Sequence, residues 1–147
     1  MSKTTYILLH LLLLSIQGLI AMVVLCSMYW CYLLLDYQGG FDRLFGIIIF
    51  QPFISVAIAI ITILIAVIVG LPFRLLNSLA VWWKHNFMFP IIVAIIGIVL
   101  FVVSLFVYTE VLIPYVWFIT AFGIMHLIPP TILKRFDDIA LSSRNNS

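Results

Sequence analysis

Charge is the scarcest thing in this sequence. Only 8% of its 147 residues are Asp, Glu, Lys or Arg, against 66% that are hydrophobic, whereas soluble domains carry roughly a quarter charged residues. The shortage excludes a soluble globular fold, and the apolar content excludes a disordered chain. Alternation of polar with apolar residues is also missing. The apolar runs are continuous, which argues against an outer-membrane barrel, whose strands alternate lumen-facing with lipid-facing side chains. The net charge of +2 lies outside those runs and offers nothing to nucleic acid.

Cysteine is nearly absent as well. Cys26 and Cys31 are the two present. Five residues turn a helix by about 500°, so the two thiols point about 140° apart if the helix continues through them. The spacing is not that of a C-x-x-C redox pair, and free thiols are the expectation.

What fills the chain is a set of long uncharged runs. Thr4 to Leu35 is 32 residues and Leu44 to Phe73 is 30, each more than the ~20 that a helix needs to cross a ~30 Å hydrocarbon core. The first is too long for a signal-peptide core of ~7–15 residues, and no small-residue cleavage site follows it. Turn and stop signals divide the remainder. Gly39-Gly40 marks a loop after Asp36, Gln51-Pro52 opens the second span, Gly70-Leu71-Pro72 closes it, Pro90 opens the third, and Pro129-Pro130 ends the fourth. The sequence thus predicts an all-α, polytopic membrane protein, a single domain over 1–147. Its spans are expected at about 6–35, 52–71, 90–108 and 111–128, in an antiparallel bundle. A segment at 73–89 would lie in the interface, anchored by Arg74, Trp82, Trp83 and Lys84, and 131–147 would be a cytoplasmic tail. Lys3, Arg74, Lys84 and three basic residues of the tail fall on one side, and only Arg43 on the other. By the positive-inside rule both termini are expected in the cytoplasm, in a plasma membrane of bacterial type.

Small residues are ordered within these runs. Ser55, Ala59, Thr62, Ala66 and Gly70 follow one another by 4, 3, 4 and 4, and so share a helical face. Ala94, Gly97, Phe101 and Ser104 do the same in the third span. In lipid, helices associate through close backbone approach at such faces. The 55–70 stretch is therefore the expected central packing helix.

Chemistry finds little to work with. The expected spans hold no carboxylate, lysine or arginine, the groups that proton-coupled carriers place at membrane depth. Gln17 is the expected interhelical hydrogen-bonding residue. His10 and His126 fall about one turn inside the same membrane surface; their bland reading is interfacial, and their sharper one is ligation of a haem iron. Tyr29, Trp30, Tyr32, Tyr37, Tyr108, Tyr115 and Trp117 read as an outer aromatic belt. No metal, cofactor or catalytic motif emerges. The function expected is non-catalytic: helix–helix binding to a membrane-protein partner, as an accessory subunit or an immunity-type protein against a membrane-inserting toxin. The alternatives are a homo-oligomeric carrier or channel for a lipid or neutral solute, and a haem- or quinone-associated redox subunit.

Overall fold

A computed structural model of the chain describes residues 3–37, 39–75, 82, 85, 86, 88–107 and 112–127. These form four helices, α1 (Lys3–Asp36), α2 (Phe41–Leu75), α3 (Phe89–Val107) and α4 (Ile113–Met125), and no strand among the described residues. Three are long and apolar enough to cross a membrane. Their apolar spans are Leu8–Leu35, Arg43–Phe73 and Phe89–Val107, with mean hydropathies of 2.4, 3.1 and 3.1. The fourth is apolar but has 13 residues, or about 20 Å of helix. Ile and Phe side chains cover the outside of α2 and α3, including Phe53, Ile61, Ile68, Ile95 and Phe106. A soluble protein would bury such a surface. The build is that of a membrane protein.

Helix α2 is longer than the prolines suggest. It starts at Phe41 rather than at Pro52, and runs past Gly70-Leu71-Pro72 to Leu75. Both prolines lie inside it. In water an interior proline costs a helix about 3 kcal/mol. In lipid, ending the helix would expose several backbone groups with no water to satisfy them, so losing one hydrogen bond is the smaller penalty. Ser55 Oγ donates to the Pro52 carbonyl at 2.8 Å, adding a bond beside the interruption. The loop from α1 is correspondingly short. Within it the Tyr37 hydroxyl donates to the Gly40 carbonyl, and the Arg43 N–H donates to the same oxygen at 3.1 Å. The Tyr37 ring folds over Gly39, where an added Cβ would stand 2.9 Å from it.

Helix α4 is the hub. It packs against all three other helices, whereas α3 rests almost wholly on α4. Val116, Thr120, Ala121, Gly123, Ile124 and Met125 are buried on it. Pro114 lies in its first turn, and its last turn tightens through Leu127 N–H to the Ile124 carbonyl at 3.2 Å. The 55–70 stretch is thus one wall of the bundle, and the centre is α4. In α1 the buried positions Gln17, Ala21, Leu25 and Met28 make one stripe. Cys26 and Cys31 both lie within α1, and both are free.

Candidate functional site: a polar seam among three helices

The small residues are where the chain meets itself. Ser55, Ala59, Ala66 and Gly70 are buried, and Thr62 is half-buried. Gly70 faces the His126 ring: a Cβ there would overlap the imidazole, with Cδ2 at 2.7 Å and Nε2 closer still. On α3 the buried residues are Pro90, Ala94, Gly97, Phe101 and Ser104. A Cβ on Gly97 would sit 2.8 Å from the backbone nitrogen of Thr120, and one on Gly123 would sit 2.7 Å from Ala94 Cα. Backbones therefore touch between α3 and α4. Dispersion across such approaches replaces the hydrophobic gain that lipid does not supply. These faces are occupied by the chain's own helices.

The hydroxyls along the helices are turned inward on their own backbones. Thr62 donates to the Ile58 carbonyl at 2.8 Å, Ser104 to Phe101 at 2.7 Å and Thr120 to Val116 at 2.9 Å. Such bonds satisfy a hydroxyl in hydrocarbon without a neighbour.

His126 is fully buried at the end of α4. Its Nδ1 lies 2.9 Å from the Phe122 carbonyl, and its ring stacks on Phe122 at 4.5 Å and 15°. Nε2 points at the α2 backbone beside Gly70. An axial bond to a haem iron from that nitrogen would require α2 to withdraw. His10 is half-buried on α1, and no group of three metal-ligating residues forms among the described residues. Gln17 is 2% exposed and points into the bundle.

Of the expected interfacial anchors, Trp83 and Lys84 lie outside the described residues, as does the side chain of Arg74. Trp82 is exposed, and its ring bridges α2 and α3. It lies 6.4 Å from Phe73 and 5.3 Å from Phe89, the latter edge to face. Phe73 continues the cluster to Phe122 at 6.0 Å. Aromatic rings thus gather beside His126 at this end of the described helices.

The other polar node lies toward the opposite end. Tyr29 of α1 donates its hydroxyl to Gln51 Oε1 of α2. Its ring lies against Trp117 of α4, centroids 5.8 Å apart and planes tilted by 51°. Leu25, Ser55, Ile58, Ala59 and Thr62 complete a seam between these groups that is too narrow for a water molecule. Trp117 Nε1 is buried and has no hydrogen-bond partner among the described residues. Buried polar groups normally have one, and lipid provides none. By sequence Tyr29 and Trp117 belong to an aromatic belt and Gln51 to a helix start. Their meeting needs three helices, and no local spacing announces it. No spacing signal marks Gly123 either, although it sits i+3 from Thr120 on the face that meets Ala94.

No protein-family model, curated protein or solved structure matches the chain.

Proposed function

We propose that this chain is a non-catalytic integral membrane protein that acts by helix–helix binding to another membrane-embedded protein. Four spans, up and down, with both termini in the cytoplasm, are the arrangement we assign. Residue pairing supports the antiparallel order: Ala94 meets Gly123 while Gly97 meets Thr120, so α3 and α4 run in opposite senses. Six basic residues against one support the orientation.

The observation that carries the functional reading is the close packing among the described residues of the helices. The Thr62 and Thr120 hydroxyls bond to carbonyls of their own helices, the seam beside Trp117 is too narrow for a water molecule, and Nε2 of His126 lies against the α2 backbone at Gly70. A solute path needs side chains that offer bonds to a passenger, and a redox subunit needs room for its cofactor. What remains available to a partner is the outside of the bundle. The small-residue faces are engaged within the chain, so a partner meets the aliphatic ridges of α2 and α3, through Ile61, Ile68, Ile95 and Val99 among others. An accessory subunit or an immunity-type protein against a membrane-inserting toxin fits this description. That identification rests on architecture alone.

Extraction from native membranes in mild detergent, with the mass of the particle measured, tests the reading. A partner in fixed proportion supports it. A lone chain that carries neutral solutes into reconstituted vesicles replaces it with the carrier alternative.

A further inference from the structure

We propose that one face of α2 is an interface between copies of this chain, with Gln51 of one copy hydrogen-bonded to Gln51 of the other. The inference does not depend on the partner reading. Where a second copy covers Ile61 and Ile68, the ridge of α3 with Ile95 and Val99 is left to another protein.

The starting point is a repeat. Ile47, Gln51, Ile54, Ile58, Ile61, Ile65 and Ile68 follow one another by 4, 3, 4, 3, 4 and 3. That is three heptads with isoleucine at every seam position but one, all inside α2. A strict 3.5-residue period keeps a stripe facing a neighbouring helix when the two wind left-handedly around each other, and membrane helices mostly pair in that sense. The stripe lies beside the small-residue face of α2 and is distinct from it. Ser55, Ala59, Ala66 and Gly70 are buried against the chain's own helices, whereas Ile54, Ile61, Ile65 and Ile68 are exposed and Ile47 and Ile58 are half-buried.

The exception in the repeat carries the argument. Gln51 is half-buried, and its Oε1 accepts from Tyr29. Its amide nitrogen makes no bond among the described residues and is not enclosed by them. Two N–H groups and the second lone pair of Oε1 are left to be met. The residue stands about 12 Å along the helix from Arg43, inside the apolar span, where lipid offers no water to meet them. An amide is met most fully by another amide, since each supplies a donor and an acceptor. A hydroxyl partner is already satisfied on its own helix, and a carboxylate would bring a charge into hydrocarbon. A second copy supplies the amide at the right level without adjustment. Copies inserted in the same sense hold Gln51 at the same depth, and a two-fold axis along the membrane normal sets the two residues opposite each other. Isoleucine gains little by leaving lipid, so the stripe supplies fit and the amide pair supplies attraction and register.

The test uses the full chain in phosphatidylcholine vesicles with no other protein present. Cys26 and Cys31 are replaced by serine, Ser142→Cys carries a donor or an acceptor dye, and energy transfer is followed as lipid dilutes the protein. Gln51→Leu should raise the protein-to-lipid ratio at half-association about five- to tenfold, and Gln51→Asn should keep most of the wild-type association. Ile61→Ala should weaken association several-fold. Ile60→Ala, one position away and also exposed but off the stripe, should not. Gln51→Leu removes the bond to Tyr29 as well, so cross-linking reads the geometry independently: in the chain without other cysteines, oxidation should join copies through Ile61→Cys several times faster than through Ile60→Cys. Two results overturn the proposal. One is a wild-type chain whose energy transfer never exceeds that of randomly mixed monomers. The other is association that Gln51→Leu and Ile61→Ala leave unchanged, with equal cross-linking at positions 60 and 61. Because the vesicles hold only this chain, either failure leaves the partner reading standing.

Discussion

Gly70→Ala is the substitution whose effect the structure specifies most closely. The added methyl would overlap the His126 ring, standing 2.7 Å from Cδ2 and nearer to Nε2, where ordinary contact is about 3.5–4.0 Å. The ring must therefore retreat by roughly 2 Å at its Nε2 edge. It is fully buried, stacked on Phe122 and bonded to the Phe122 carbonyl, so the retreat disturbs all three. Overpacking of this kind costs about 1–3 kcal/mol, offset by ~0.5–1 kcal/mol from the higher helix propensity of alanine. The expected net loss is about 1–2 kcal/mol. The control is Gly18→Ala, where the methyl meets nothing within 4 Å and stability should stay level or rise slightly. His126→Ala removes the ring and is itself destabilising, by roughly 2–4 kcal/mol for a buried side chain. In that background Gly70→Ala should behave like Gly18→Ala. A double-mutant cycle, read by SDS-titrated unfolding in mixed micelles, should then give a coupling of about 2–3 kcal/mol. Additivity within ~0.5 kcal/mol would refute the claim that Gly70 is small because His126 lies against it.

Gly123→Ala should loosen the α3–α4 pair, because its methyl meets the backbone of Ala94, Cα at 2.7 Å, and backbone cannot rotate aside. A drop of about 1–3 kcal/mol in the same unfolding assay is expected, and a variant as stable as Gly18→Ala would show that the helices have slack there. Orientation is open to a labelling test in a chain with Cys26 and Cys31 replaced by serine. A cysteine at Gly40, where a side chain has free space, should react with a membrane-impermeant maleimide in intact cells. One at Ser142 should react only after permeabilisation, and the reverse pattern would invert the topology.

Membrane character and the buried stripe of α3 were legible in the sequence. Ala94, Gly97, Phe101 and Ser104 share a face by spacing alone, and the structure buries all four. The limits of α2 were not legible, because Pro52 reads as a helix start and Pro72 as a helix stop under aqueous rules, and lipid reverses the balance between one lost bond and an open helix end. The central place of α4 was hidden for a related reason. In water a buried helix stands out by being apolar all round; in a membrane every helix is apolar, and the one at the centre is marked only by small contacts such as Gly123 and Thr120. Tyr29, Gln51 and Trp117 come from three helices, so their cluster is a property of packing that no single segment encodes. The glutamine and histidine that sequence pointed to, Gln17 and His126, are both buried, and so is the indole nitrogen of Trp117, a residue whose position in the sequence reads as belt.

The central claim is that this protein works from its outside, on another protein of the same membrane. The most direct test is the mass of the particle extracted from native membranes in mild detergent, with its components identified by mass spectrometry. The account predicts the chain together with a second integral membrane protein in fixed proportion. Recovery of the chain alone, or only with copies of itself, from membranes cross-linked before extraction would contradict it.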